Sequence, residues 1–197
     1  MKHPSLQFPR RGLGAAALAL GCLAFAGCTT TGPQDPQTAA QQRSTINQHA
    51  DETLERLYKT APGSRTLVQR ANGVLIFPNV VRAGFILGAE HGTGVLRVGG
   101  RDTGYYTTTG GSIGWQAGAQ SRAVVLLFMT QAALDKFRNS NGWTAGADAT
   151  VAVANVGANG TVDTNTAKQD VVGFVLTNAG LMAGVSLDGA KIQKKDL

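Results

Sequence analysis

Glycine is the residue that most limits what this chain can fold into. Of the 26 glycines, only four lie within the first 27 residues. Several of the others stand inside apolar, alternating stretches rather than between them, namely Gly84, Gly88, Gly114, Gly118 and Gly184. Glycine weakens a strand unless the strand bends or another chain segment comes close to its backbone. The pattern therefore predicts a tightly curved sheet, with a groove for a ligand or a second backbone as the alternative.

Helical periodicity is concentrated in the part of the chain before Gly73. Apolar residues recur at helical spacing from Ser44 to Ala61, and the Pro-Gly pair that follows ends the pattern. Ser64 is predicted to be the N-cap of a second, short helix that continues to Ala71. Beyond Gly73, one more brief helix is predicted at residues 131–138, with three apolar residues facing inward: Ala132, Leu134 and Phe137.

The remainder of the chain has the short apolar or alternating stretches that are typical of strands. Strands are predicted at residues 74–81, with Pro78 marking an edge or a bend, and at 85–90, 95–98, 112–120, 122–129, 147–154, 171–177 and 181–187. Hairpin turns are predicted at Gly92-Thr93-Gly94 and at Asn178-Ala179-Gly180. The fold class is therefore α+β: an N-terminal helical region packed on a curled antiparallel sheet or barrel-like β-sandwich, with one short internal helix.

The first 27 residues have the parts of a bacterial export signal. Basic residues come first, and the uncharged apolar stretch 13–26 is shorter than the roughly 20 residues that span a bilayer. It ends in Leu23-Ala24-Phe25-Ala26-Gly27-Cys28, which resembles the lipobox of bacterial lipoproteins. We therefore expect cleavage before Cys28 and acylation of its sulfur. Cys22 is a poorer cleavage site because the bulky Leu20 precedes it, and Arg10-Arg11 leaves both general-secretory and twin-arginine export open.

The residues after Cys28 predict where the protein is held. Several acyl chains on one cysteine anchor a protein durably to a membrane. Thr29 stands where lipoproteins of the inner membrane typically have Asp, so resemblance implies the periplasmic face of the outer membrane. Residues 28–43 lack large apolar side chains, which predicts a flexible tether. Residues 44–197 are then long enough for one domain with one core.

The composition argues against several classes of function. Three of the 18 basic residues and none of the 12 acidic residues lie in the signal, so cleavage lowers the formal charge from +6 to about +3. This modest charge and the export signal argue against nucleic-acid binding. Cys28 is the one cysteine left after cleavage, which excludes a disulfide framework, a thiol nucleophile and a cysteine-based zinc site.

The residue types of catalytic sites are present in unsuitable arrangements. Residues 110–114 match the Gly-x-Ser-x-Gly elbow of serine hydrolases around Ser112, but a strand pattern follows where the elbow needs a helix. His49 and His91 both precede Ser112, and neither has a second histidine at helical spacing or a cysteine partner that would indicate a metal site. We therefore expect no catalytic residues, no metal and no cofactor.

Basic side chains cluster around the helical region and supply the candidate binding residues. Lys59, Arg65, Arg70 and Arg82 follow one another closely, whereas the acidic residues of this region come before them. A positive patch of this kind gains about 1 kcal/mol for each basic residue that lies near an anionic membrane. We expect these four residues to contact anionic lipid headgroups, with an ordinary solvated helix face as the alternative.

Several segments, taken in order, resemble the SYLF-domain family of bacterial lipoproteins and eukaryotic endocytic proteins. They are Arg70 to Pro78, Ala83 to Ala89, Gly92 to Leu96, Gly111 to Gln120, Ala147 to Ala149 and Ala179 to Gly189. Together they extend the resemblance from about residue 44 to residue 192. One segment departs from the family: many relatives have Trp-Ser-x-Pro before the Ser112 strand, where this chain has Tyr105-Tyr106-Thr107-Thr108.

The resemblance implies a non-enzymatic domain that binds lipid, chiefly anionic phospholipid, and in some eukaryotic members actin. A periplasmic protein meets no actin, so phospholipid and the acyl anchor on Cys28 are the expected partners. The alternative is an envelope scaffold without intrinsic lipid binding, which would hold a protein partner through a sheet edge or a glycine-rich face. Binding to vesicles distinguishes the two hypotheses.

Overall fold

A computed structural model describes residues 36–155, 162, 163, 165–182 and 184–197, without the side chains of residues 85–87 and 112–119. The export signal, Cys28 with its predicted acylation, and the first part of the tether lie outside the described residues. Residues 34–197 form one compact unit.

The first helix, α1 (Pro36–Thr60), begins eight residues before the predicted Ser44. Residues 36–43, predicted as part of the tether, are therefore helical. Proline suits a first helical position because its missing N–H would have no intrahelical partner there. Gln and Ala are good helix formers even without large apolar side chains. Ala39 is buried and the Arg43 guanidinium donates to the carbonyl oxygen of Leu197, so this turn also has tertiary contacts.

A short turn joins α1 to α2 (Ser64–Arg70). Gly63 occupies the N-cap position without a side-chain cap, and Ser64 is instead the first helical residue. The prediction that Ser64 caps this helix is wrong, because its side chain is fully buried and its Oγ has no hydrogen-bond partner. The helix ends one residue before the predicted Ala71.

The sheet is built on one long hairpin of β1 (Gly73–Val98) and β2 (Arg101–Phe128). The turn lies at Gly99 and Gly100, whose φ angles of 57° and 77° favour glycine. The three short strands predicted before residue 99 are thus one strand, and the turn predicted at Gly92-Thr93-Gly94 is wrong. Those glycines lie within the strand, paired with residues 106–108 of β2.

Gly92 and Gly94 explain why this stretch has glycine without being a turn. Both are buried, and a Cβ on Gly92 would lie 2.9 Å from the carbonyl oxygen of Asn79. A Cβ on Gly94 would overlap the carbonyl oxygen of Ile76. Two parts of β1 therefore pass close to each other. The predicted curvature is present, with register shifts at 77–80, 84–86 and 96–97. The close approach of another backbone segment, given as the alternative, also occurs at Gly92 and Gly94.

Five short strands and one further helix complete the described elements. They are α3 (Gln131–Arg138), β3 (Trp143–Thr144), β4 (Ala152–Val153), β5 (Val171–Thr177), β6 (Gly180–Leu181) and β7 (Lys191–Lys195), with a 3₁₀ turn at Thr166–Lys168. The predicted α3 and β5 are confirmed in position. Ala132 is exposed rather than inward, the strand predicted at 181–187 ends at Leu181, and β7 was not predicted.

The seven described strands form one sheet in the order β3-β7-β2-β5-β4, with β1 paired to β2 and β6 to β5. Every pair is antiparallel except β4 with β5. The sheet is thus mixed rather than purely antiparallel. The α+β class, with a helical N-terminal region over a curled sheet, is confirmed.

The sheet is buried on both faces. Val125, Leu127 and their neighbours pack against the apolar side of α1 and α2, around Leu57 and Leu67. The alternate residues of the same strand belong to a second core, which α3 and the segments around β3 and β7 cover. Its centre is aromatic, with ring centroids 4.7 Å apart for Phe128–Phe137 and 5.8 Å apart for Phe137–Trp143.

Candidate functional site

Three of the four predicted basic residues lie on the two N-terminal helices. Lys59 is in the last turn of α1, and Arg65 and Arg70 are near the two ends of α2. All three are exposed, and none forms a salt bridge within the described residues. We call them the α1–α2 basic surface. Their charges are available to an anionic partner.

The geometry of α2 explains how its two arginines are displayed. With 3.6 residues per turn, positions five apart are separated by about 140° around the helix. Thr66 and Gln69, which are exposed, fall within the same arc, while Ser64 and Leu67 are buried against the domain. Arg65 and Arg70 therefore mark the two margins of the solvent-facing arc. A flat anionic surface that meets this face can reach both.

Arg65 is held in place by an aromatic ring. Its guanidinium carbon lies 4.1 Å from the ring centroid of Tyr58, a cation–π contact. Partial burial raises the pKa of the Tyr58 phenol above 10.0, and the nearby Arg65 charge offsets part of that shift. The phenol is therefore neutral at physiological pH, so the ring keeps its affinity for the cation.

Arg82, the fourth predicted residue, is not part of that surface. It lines a cleft of about 260 Å³ whose wall includes none of the other three candidates. The cleft is lined by Arg82, Glu90, Gly110, Gly111, Arg122, Met182, Val185, Ser186, Leu187, Asp188 and Ala190. The sequence thus grouped Arg82 with residues that do not line the same cleft, and its role stays a prediction.

The cleft contains a partly buried ion pair. Arg122 Nη2 lies 2.6 Å from Glu90 Oε2, and the two side chains are 20% and 12% exposed. The Nε of Arg122 is buried and has no hydrogen-bond partner. A buried donor without a partner costs about 1–3 kcal/mol.

The loop before β7 supplies the other charged group of the cleft. Ser186 Oγ donates to Asp188 Oδ2 at 2.7 Å, and the backbone N–H of Asp188 donates to Ser186 Oγ. The other carboxylate oxygen lies next to Gly146, where a Cβ would be 2.5 Å from it. Asp188 is therefore positioned by local contacts. It forms no ion pair with any described residue.

Arg97 is a structural cation rather than a candidate ligand contact. It lies 2.6 Å from Asp51 on α1 and 2.8 Å from Asp102 on β2, and its side chain is 15% exposed. Burial alone would lower the pKa of its guanidinium, but the hydrogen bonds and charges of the two aspartates outweigh this and raise the pKa. The residue fastens α1 to the hairpin.

The residues considered for catalysis do not assemble. The backbone at Ser112 is part of the continuous strand β2, so the strand–turn–helix of a nucleophile elbow is not formed there; the Ser112 side chain lies outside the described part. His49 is exposed on α1, and His91 is exposed within β1 rather than at a hairpin turn. Among the described residues, no three His, Cys, Asp or Glu side chains come together as a metal site.

Sequence reasoning missed Arg122, Glu90 and Asp188. A usable signal existed for the first two: Glu90 is the sole acid between residues 73 and 101, and Arg122 follows a long uncharged stretch and directly precedes a buried strand. A charge next to a buried strand needs a partner, which favours pairing the two. Asp188 gave no such signal, because the loop that places it has no periodic pattern.

Comparison with known families identifies the region that contains the cleft loop. Residues 109–196 match the family model Ysc84, described as Las17-binding protein actin regulator. This is the SYLF-domain family that the sequence resembles. The part of the chain from residue 109 to residue 196 is therefore similar to this family. The match begins within β2 and continues through β7, so it includes Arg122 and Asp188 but not the α1–α2 basic surface. A search of curated proteins finds no significant match.

The SYLF family is a family of binding domains. The matched residues include part of the cleft, which agrees with reading the cleft as a binding feature. In the described part of the chain, no helix combines the length and apolar character needed to cross a membrane.

Proposed function

We propose that this protein is a lipid-anchored lipoprotein whose SYLF domain binds phospholipid surfaces without catalysing a reaction. The observation that carries the proposal is the family match over residues 109–196, because SYLF domains are associated with lipid binding. The export signal and the predicted acyl anchor at Cys28 support the same reading. They would hold the domain beside the membrane, in our proposal on the periplasmic face of the outer membrane.

The α1–α2 basic surface is the proposed contact with the membrane. Its three cations are exposed and unpaired within the described residues, so they can approach lipid phosphates without first breaking a salt bridge. Each would contribute about 1 kcal/mol near an anionic surface. Three such contacts alone bind weakly, which suits a domain that an acyl chain already holds near the bilayer.

The actin-related description of the matching family is not carried over to this chain. An exported protein has no access to actin, so the property we propose to be shared is recognition of membrane lipid. The alternative is an envelope scaffold that binds a protein partner, and it would use the same domain without affinity for vesicles.

Co-sedimentation with vesicles tests the proposal. The chain from residue 29 to residue 197 lacks the signal and Cys28, and it keeps the whole of α1 and the compact unit. We expect salt-sensitive binding to anionic vesicles and weak binding to neutral ones. If the protein sediments with neither at low salt, intrinsic lipid binding is wrong and the scaffold is favoured.

A further inference from the structure

The cleft beside Arg82 has balanced charges, which limits the ligands that it can hold. Two arginines and two carboxylates line it, namely Arg82, Arg122, Glu90 and Asp188. Arg122 and Glu90 neutralise each other at 2.6 Å. Arg82 and Asp188 form no ion pair with any residue in the described ranges. The cleft thus presents one unpaired positive and one unpaired negative group.

A ligand with a single type of charge fits this arrangement poorly. An anion attracted to Arg82 would meet the Asp188 carboxylate, and a cation attracted to Asp188 would meet Arg82. A ligand that carries both charges satisfies both side chains at once.

The size of the cleft limits the ligand further. Its volume of about 260 Å³ is below the roughly 300–1,000 Å³ of sites for drug-sized molecules. A neighbouring space that shares Glu90, Arg122 and Leu187 with the cleft measures only about 20 Å³ and has room for about one water. A small head group fits this volume, and an acyl chain would have to remain outside.

The sheet opens toward the cleft at the point where β7 ends. β7 pairs with β2 only at residues 105–109, and β5 pairs with the same edge only at 123–128. Within the described residues, Gly110 and Gly111 therefore have no strand partner on that edge. No atom lies within 4 Å of where a Cβ of Gly111 would be, so a ligand can approach this backbone.

We infer that this cleft binds the zwitterionic head group of a phosphoethanolamine lipid. The phosphodiester lies against Arg82, and the primary ammonium donates to Asp188. The inference rests on the proposed function, because a phospholipid surface supplies the head group. It goes beyond that function by assigning a second site, separate from the α1–α2 basic surface, that recognises head-group chemistry rather than net charge.

Soluble head groups test the site without a membrane. The probes are glycerophosphoethanolamine, glycerophosphocholine and inorganic phosphate, titrated into ¹⁵N-labelled chain 29–197. We expect glycerophosphoethanolamine to shift the amides of Gly110, Gly111 and Asp188. Glycerophosphocholine should bind about tenfold more weakly, because its quaternary ammonium has no N–H to donate. If inorganic phosphate causes equal shifts, the cleft is a general anion site and its assignment to a zwitterionic head group is wrong.

Variants keep the test independent of folding. Arg82→Gln and Asp188→Asn should each weaken binding of glycerophosphoethanolamine about tenfold, and Arg82→Lys should retain most of it. Arg101→Gln, at an exposed position outside the cleft, is the matched control and should leave binding unchanged. Unchanged affinity in both Arg82→Gln and Asp188→Asn would contradict the inference. The amide spectrum of each variant shows directly whether the domain is still folded.

Vesicles separate the two proposals. At a fixed anionic fraction, replacing phosphatidylcholine by phosphatidylethanolamine should strengthen sedimentation of the wild type but not of Asp188→Asn. The cleft assignment is wrong if the protein binds both vesicle compositions equally and the soluble probe shifts no amide of the cleft. The proposed function would then remain intact. If the soluble probe shifts the amides of the cleft but the protein binds no vesicle, the proposed function is wrong. The head group would then not be recognised as part of a membrane lipid.

Discussion

Gly94 has no space for a side chain, and this fact determines how the first strand can run. A position usually requires glycine because its φ angle is positive, yet Gly94 is not among the residues with positive φ. It is required because the carbonyl of Ile76 occupies the position that a Cβ would take. Gly111, in the partner strand, has open space at the same position. The two glycines look alike in the sequence, but a methyl group at Gly94 would cost stability and one at Gly111 would not.

The residue-scale prediction is that Gly94→Ala destabilises the domain by about 3 kcal/mol, because the backbone must move to admit the methyl group. Chemical denaturation of the chain 29–197 measures the loss. Gly111→Ala is the matched control, and we expect it to change the free energy of unfolding by less than about 0.5 kcal/mol. Equal stability of the two variants would show that the close approach within β1 is absent in solution.

At the scale of elements, the predictions succeeded where local pattern decides the outcome. α3 and β5 have the predicted bounds because each carries its own periodicity and Thr130 caps the helix. The start of α1 was placed too late because residues 36–43 gain their order from helix-forming residues, buried Ala39 and a contact with Leu197, not from an apolar stripe. β7 was missed because Lys191–Lys195 contains one buried residue, Ile192, among exposed or half-buried ones.

The element-scale prediction concerns α1 and α2. Replacing Lys59, Arg65 and Arg70 by Ala should weaken binding to anionic vesicles about a hundredfold and flatten its salt dependence. The matched control removes the same charges elsewhere, at the exposed residues Arg101, Arg138 and Lys168. We expect this control to bind almost as the wild type does. Equal weakening in both triple variants would mean that net charge, rather than this surface, governs binding.

At the scale of the whole molecule, the fold class followed from the sequence but the assembly of the site did not. The switch from helical to strand pattern near Gly73 was sufficient for α+β. The cleft, by contrast, unites residues 82, 90, 122 and 188, which no local pattern relates. Their proximity depends on the register of the long hairpin and on where β7 stops. Arg82 stays a predicted candidate, and the residues that line the cleft with it had to come from the structure.

β2 also has a consequence for how the domain comes apart. Its residues 124–128 alternate between the two cores and pair with β1 and β5 at once, so neither core can open while the other stays intact. The domain should therefore melt as one cooperative unit, with tryptophan fluorescence and backbone circular dichroism following the same curve. The amides of residues 124–127 should exchange with solvent only through global unfolding. Two separate transitions would mean that the cores are independent.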